Sequence, residues 1–488
     1  MGTRRLAALT ALLAVAALVP SGPAGALTQP VPRGERAVYV TNSATSDISR
    51  FVVDPATGRP VLTGDRVAAG PGVRQMAFTP DGRAAYAVNA GDDDAGTISA
   101  YTVGAQGLLT PLATVATGGA VPLGIVVTPG GHFLYVAHVF SKSVAGFAIA
   151  PDGRLSPLSS SPTETTVANP RGLAVTPDGR FLYVGHGDPG PDRLTSVGAI
   201  STFAIKDDGT LAEVTAPVRL GRFCGAMAIS PDGRHLYLTC SDTSEIYGFA
   251  IGSDGVLTAL PRSPYAVSTF PEGITTSPDG RFVYVASPAP GAGNTPLGDG
   301  AVSGFSVGTD GALAPVKRSP VPAGIGPVGI TTVPDGRFLY ASTGDPRGGA
   351  LGAFALSATG TTRTLPGSPF TTGGAEPAFG SAAVLPDQGP VAGFAARVAG
   401  RTVAFDASAS TDPDGRVARH RWDFGDGTSL TSADPRIAHL YPRAGTFRAA
   451  LTVTDNEGCS TVLISTGQAV LCNGTPAAAT ARDIAIRF

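Results

Sequence analysis

The feature that most constrains this 488-residue chain is a short hairpin written six times: TPDGRAAY at 79–86, TPGGHFLY at 128–135, TPDGRFLY at 176–183, SPDGRHLY at 230–237, SPDGRFVY at 277–284 and VPDGRFLY at 333–340. Proline presets the first turn position, aspartate favours the next, and glycine accepts the left-handed conformation that closes a three-residue hairpin loop. The strand that follows, such as Phe181 to Val184, is continuously apolar, as a strand covered on both faces must be. With Tyr39, Tyr86, Tyr135, Tyr183, Tyr237, Tyr284 and Tyr340 as markers, the period is roughly 50 residues, the length of a four-stranded propeller blade. RAVYVTN at 36–42 lacks a leading hairpin, and FGSAAVLPDQGP at 379–390 supplies a leading strand without the rest. The two ends therefore complete a seventh blade, and ring closure removes the edges that isolated blades would expose. The fold class is all-β: a seven-bladed β-propeller over 35–388, with a smaller β-domain over 390–488.

Composition fits. The 65 glycines, 42 prolines and 43% hydrophobic residues describe a turn-dense, well-buried protein. A formal net charge of −2 supplies none of the positive field that nucleic acid requires, so DNA and RNA are not expected partners. Arg4 and Arg5 precede an apolar run from Leu6 to Val19, and Ala24-Gly25-Ala26 offers a small-residue cleavage site. Residues 1–26 thus read as a signal peptide, with a run too short for a membrane span. The expected product is a freely secreted monomer without a transmembrane anchor.

Four cysteines in an exported chain suggest two disulfides. With the turn at Pro231-Asp232-Gly233, counting back along both strands sets Cys224 opposite Cys240 as a hydrogen-bonded pair, about 5.5 Å between Cα atoms. Cys459 and Cys472 would close the segment between them. Buried thiols are the alternative, and no C-x-x-C suggests zinc.

The loops that enter the inner strands open around the central channel. Six residues before each turn proline stand Arg74, Leu123, Arg171, Gly225, Glu272 and Val328, while the second strands exit at His138, at His186 with Asp188, and at Asp242. Arg74, Arg171, Glu272, His138 and His186 are expected to face one polar pocket suited to a small carboxylated ligand. The competing expectation is a set of satisfied rim groups around ordered water. In the second domain Asp412, Asp414, Asp423, Asp426 and Asp455 crowd the loops. Asp412, Asp414 and Asp455 are the candidate calcium ligands, against the alternative that such aspartates cap turns. No other cofactor is expected.

The YVTN at 39–42, the repeated PDGRFLYV, and SPLSSSP (156–162) and LPGSPF (365–370) resemble the seven-bladed lactonase family, which includes 6-phosphogluconolactonase-like and muconate-cycloisomerising propellers, and the broader YVTN surface-protein propellers. The resemblance covers about 35–388. It implies histidines at an early inner-strand entry, where this chain has VPLGIVV (121–127), and an arginine-histidine pair followed by a glutamate. Arg171 stands in NPRGLAV, but Gly172 follows it, and YVGHGD (183–188) has no glutamate. His186 then becomes the candidate general base beside Arg171. WDFGDG (422–427), HLYPRAGTF (439–447) and LTVTDNEG (451–458) resemble a polycystic-kidney-disease (PKD) domain, an immunoglobulin-like β-sandwich, which implies a spacer or adhesion role and makes Trp422 its core plug. The expected function is a secreted bacterial binding or scaffold protein at or outside the cell surface, partnered by a carboxylated ligand, a carbohydrate or a cell-surface protein. The alternative is a lactonase-like hydrolase that opens a sugar or aromatic-acid lactone.

Overall fold

In a computed structural model of the chain, the structure describes residues 36–91, 96–188, 197–289, 298–345 and 348–487. The expected signal peptide lies outside the described residues. Nearly every regular element is a strand, and no helix among the described residues is long and apolar enough to cross a membrane.

Seven antiparallel sheets follow one another around a ring. Blade 4 shows the plan: an inner strand Pro170–Val175, then Phe181–Asp188, Val197–Ile205 and an outer Leu211–Leu220. The ring closes in blade 1, where Arg36–Asn42 pairs with Pro377–Val384 in the register Val38↔Val384 and Tyr39↔Ala383. In the five turns that carry it, the aspartate works as an internal cap: Asp232 Oδ1, for example, accepts from the Ser230 hydroxyl (2.6 Å) and from the Arg234 N–H (3.1 Å).

The repeated tyrosine joins the blades. Each hydroxyl donates to a glycine carbonyl in the outer turn of the next blade: Tyr86 to Gly153 (2.8 Å), Tyr135 to Gly209 (2.7 Å), Tyr183 to Gly255 (2.9 Å), Tyr237 to Gly311 (2.8 Å) and Tyr284 to Gly360 (3.2 Å). Tyr340 to Gly58 (2.6 Å) carries the series across the seam, and Tyr39 to Gly107 completes it. All seven phenols are buried and would lose about 1–3 kcal/mol each if left unpaired. Gly255 shows why glycine recurs there: it sits at φ +82, and a Cβ would lie 2.4 Å from the Phe181 ring of the preceding blade.

The second domain packs two sheets. One holds Ala395–Ala399, Thr402–Asp406 and Arg436–Leu440; the other holds Ser429–Ser432, Val417–Asp423, Gly445–Asp455 and Ala479–Ile486. Trp422 is fully buried between them, edge-on to Phe394 at 5.2 Å and beside Phe405 at 5.2 Å. This domain sits on the propeller face that carries the repeated turns, where Gln388 Nε2 donates to the Pro80 carbonyl (2.9 Å).

Both disulfides are present. The Cys224–Cys240 geometry corrects the expectation: the Cα atoms are 3.9 Å apart, not at the wider spacing of a hydrogen-bonded pair. The hairpin runs one residue out of the counted register (Met227↔Leu238), and a bulge between Cys224 and Met227 restores the pairing of the two cysteines while changing its type.

Candidate functional site

Two polar clusters stand apart, one on each face of the ring. On the face where the inner strands begin, Arg74, Arg171 and Glu272 are half-buried at the entries of blades 2, 4 and 6. Two residues before each inner-strand entry the chain turns through the left-handed region at Gly72, Val121, Asn169, Phe223, Phe270, Gly326 and Glu376, with φ between 50 and 63. Five of the seven are not glycine, so each carries strain on the order of 1 kcal/mol or more that the ring must hold.

These turns deliver aromatic rings to the rim. The Arg171 guanidinium lies 4.2 Å from the centre of the Phe223 ring and 5.7 Å from that of Phe379, and Phe223 stacks on Phe270 at 6.3 Å. Burial, with Arg74 nearby, lowers the Arg171 pKa, while Glu272 and Asp242 oppose that shift. Burial lowers Arg74 likewise, opposed by Glu376. The three rim residues therefore share one electrostatic neighbourhood, framed by aromatic faces that suit an arginine presenting its edge to a carboxylate. Below them the channel narrows to a cavity of about 20 Å³, bordered by Gln75, Glu272, Phe379 and Gln468 among others. That is room for about one water, so a larger ligand stays on the face.

His138 and His186 do not join this cluster, which corrects the expectation of five converging residues. Both are fully buried. His186 Nδ1 donates to the Ala168 carbonyl (3.2 Å), and its Nε2 accepts from the Ser201 hydroxyl (2.9 Å). His138 Nδ1 pairs with Ser143 Oγ at 3.1 Å. Burial depresses both to about 4, so both are neutral near pH 7. The same place at the end of the second strand holds Asn42 in blade 1, bonded to Ser49 Oγ (2.8 Å), and Asn89 in blade 2, bonded to Ser99 Oγ (3.0 Å). It is a slot for a polar side chain that ties the second strand to the third, and no ligand on the face reaches it.

The second cluster is buried where the domains meet. Arg36, 5% exposed, reaches Asp387 (2.6 Å), Glu457 (2.7 Å) and Asp414 (3.1 Å), and Asp412 and Asp455 add their fields to the same acids. One guanidinium thus faces five carboxyl groups. Burial and mutual repulsion push Asp412 up to about 7. Burial raises Asp455 to about 6, with Glu457 adding to the shift against backbone N–H groups that lower it. Asp387 Oδ2, both Asp412 oxygens, Asp455 Oδ2 and Glu457 Oε1 are buried with no hydrogen-bond partner. Excess hard oxygens without donors are what a divalent cation such as Ca²⁺ satisfies, but only Asp387 and Asp455 bring carboxylate oxygens close enough together to share one ion; of the expected ligands Asp412, Asp414 and Asp455, the first two lie outside that group. Cys459 lies beside Asp387 and Asp455, but its sulfur is taken by the disulfide. Asp423 and Asp426 are elsewhere: Asp426 caps Thr428 (3.0 Å) and bonds His439 (2.7 Å).

Sequence reading missed Gln75, although aligned copies flag it: the residue after each rim position is Gly124, Gly172, Ala226, Gly273 or Gly329 elsewhere. It also missed Arg36, Asp387 and Glu457, which no local pattern links.

A family description, "Lactonase, 7-bladed beta-propeller", matches residues 36–345, and a PKD domain description matches 387–469. The propeller is similar in fold to a putative 6-phosphogluconolactonase from Bacteroides uniformis (21% identity, 72% of this chain, 99% of that one, TM-score 0.60). It is also similar to a periplasmic gluconolactonase of Pseudomonas aeruginosa (21% identity, 72% and 99%, TM-score 0.59). A further similarity is to a microbial collagenase of Vibrio alginolyticus (39% identity over 71 residues, 14% of this chain, 8% of the relative) and to the pre-pro-metalloprotease PrtV of Vibrio cholerae (41% over 71 residues, 14% and 7%). The chain spans less than a tenth of the length of these curated relatives. With the larger match covering most of its length, the chain belongs to the seven-bladed β-propeller lactonase family and carries a PKD domain behind the propeller.

Proposed function

We propose that this chain is an exported bacterial binding module: the entry face of the propeller takes a small carboxylated ligand, and the PKD domain braces it and holds it at or outside the cell surface through a carbohydrate or protein partner. The carrying observation is the division among the five rim residues. Arg74, Arg171 and Glu272 share one aromatic-framed, half-open neighbourhood, whereas His138 and His186 are sealed inside blades and neutral. Binding groups are at hand, and the imidazoles that would take a proton from water are out of reach. The names of the gluconolactonase relatives suggest sugar acids as the ligand class. Export is supported by two disulfides, which persist in oxidising compartments. At the junction Asp387 and Asp455, whose carboxylate oxygens come close enough to share one ion, are proposed to hold Ca²⁺, supported by the partnerless oxygen each of them carries.

One observation favours a second reading, lactone hydrolysis: Glu272 borders the one-water cavity beside Arg171, the place from which a carboxylate could activate water. The mature protein, residues 27–488, should be titrated with gluconate and related sugar acids and assayed on the matching lactones and on aromatic-acid lactones by acid release. Binding that vanishes in Arg171→Ala, with lactone turnover at the spontaneous rate, is the expected result. Turnover that survives His186→Asn and disappears in Glu272→Gln would replace binding by hydrolysis.

A further inference from the structure

The second domain reaches into the ring from the turn face. On the turn face, the segment that the Cys459–Cys472 disulfide closes forms a small hairpin, Ile464–Ser465 against Val470–Asn473, and its tip enters the ring. The Val175 N–H donates to the Gly467 carbonyl (2.9 Å) and the Ile229 N–H to the Thr466 carbonyl (2.8 Å). These are the inner strands of blades 4 and 5, whose channel-side edges have no neighbouring strand. Gly467 sits at φ +83 with the Ile229 side chain 2.9 Å from where a Cβ would be, so the tip is fitted to its place. From there Gln468 extends further: its Nε2 donates to the Met227 carbonyl, and its side chain borders the same cavity as Gln75, Glu272 and Phe379.

We infer that Gln468, carried by the second domain, is the floor of the propeller's ligand site and selects hydroxylated carboxylates, with the acid group on Arg171 and Arg74 and a hydroxyl turned down into the channel. This rests on the reading of the entry face as a ligand site. The cavity is bordered by two amides. Gln75 Oε1 accepts from the Ile125 N–H (3.3 Å), which leaves its NH₂ as the group it can offer to the cavity. Gln468 uses its Nε2 on Met227, which leaves Oε1 as an acceptor. A donor and an acceptor together match a hydroxyl, which is both at once, and are left unpaired against a methylene. The cavity size admits one such group and no more. A propeller without the hairpin would have an open channel at this depth, so the site as built needs both domains.

The test compares two acids of similar length on the mature full chain: D-gluconate, which carries hydroxyls, and hexanoate, which does not. Calorimetry should show wild type preferring gluconate, with Arg171→Ala losing both acids. Gln468→Ala and Gln468→Leu should cut the preference about tenfold, the scale of one hydrogen bond in a desolvated pocket, while hexanoate binding holds. Hydrogen exchange at the Val175 and Ile229 amides reports whether the tip stays seated, and the conservative Gln468→Asn serves where a larger change unseats it. A seated tip with an unchanged preference overturns the role of Gln468 and leaves the entry face a carboxylate site. Wild type that binds neither acid, or binding that ignores Arg171→Ala, overturns the entry-face reading and this inference with it.

Discussion

The two polar clusters of this molecule contain similar residues and live by different rules. On the entry face Arg74 and Arg171 stand half-exposed among aromatic rings, with Glu272, Asp242 and Glu376 near enough to offset them. At the junction one buried arginine stands among five carboxyl groups, several with partnerless oxygens. Water can still answer for whatever the first cluster lacks; the second depends on Arg36, on a few backbone N–H groups at Asp414 and Asp455, and for the rest on protons or an added cation. The difference separates a place where recognition can occur at little cost to folding from one where the fold itself is at stake. The junction also ties together two domains that match different families: the charge at its centre, Arg36, comes from the first strand of the propeller.

The largest effect should follow from breaking the buried side. Arg36→Met removes the one cation and should lower unfolding stability by about 3–5 kcal/mol, read as a lower urea midpoint. A loss below about 1 kcal/mol would mean that the acids are protonated or solvated enough to do without it, and the contrast between the clusters would dissolve. Next is the cation. Saturating Ca²⁺, at about a hundred times its dissociation constant, should raise stability by about 2.7 kcal/mol, reversed by chelation and absent in Asp455→Asn. A chelator-insensitive melting temperature would remove calcium from the junction.

How much of this was legible in the chain follows from what each contact needs. The blades were readable because each must bury both faces and close each turn alone, so turn chemistry and the apolar run are repeated locally in every copy. Arg74, Arg171 and Glu272 were found by counting back from the turn prolines, since an inner strand has nowhere else to begin. Reading the ends of the second strands failed for His138 and His186. It locates the end of a strand but not which side of the pleat a side chain takes, and bulges between Val136 and His138 and between Pro170 and Gly172 reset that alternation. The comparison with Asn42 and Asn89 was available in the sequence and pointed to a structural slot. Arg36 with Glu457, or Gly467 with Val175, join segments hundreds of residues apart through no repeated pattern, so nothing local announces them.

The histidine slots sharpen the contrast through pH. Each imidazole is depressed to about 4 in the fold from about 6.5, so the unfolded chain binds more protons between those values. Their stabilising contribution is complete above about pH 6.5 and is lost as the pH falls toward 4, on the order of 3 kcal/mol each. Asp412 and Asp455, raised to about 7 and 6, pull the opposite way: the fold binds their protons more tightly, so their part grows on acidification. Subtracting the two isolates the histidines. His138→Asn with His186→Asn, copying blades 1 and 2, should fold at pH 7 and show a shallower loss of stability between pH 6.5 and 4 than wild type. Identical pH profiles would place the histidines in contact with solvent and reopen His186 as a base.

The smallest change in stability should come from the entry face, and that is its diagnostic value. Arg171→Lys keeps the charge but loses the planar group that lies over Phe223 at 4.2 Å and the fork that grips a carboxylate at two points. The stacking contribution is about 0.5–1 kcal/mol, so the urea midpoint should barely move, while gluconate binding should weaken at least tenfold because a lysine meets the acid as a point charge. The strain held at Val121, Asn169, Phe223, Phe270 and Glu376 gives a reason to expect that split: the ring keeps its rim in place with or without the guanidinium, so the arginine is free to serve the ligand. If Arg171→Lys instead destabilised the chain as much as Arg36→Met, the arginine would be a structural strut like its buried counterpart, and the entry face would lose its claim to recognition.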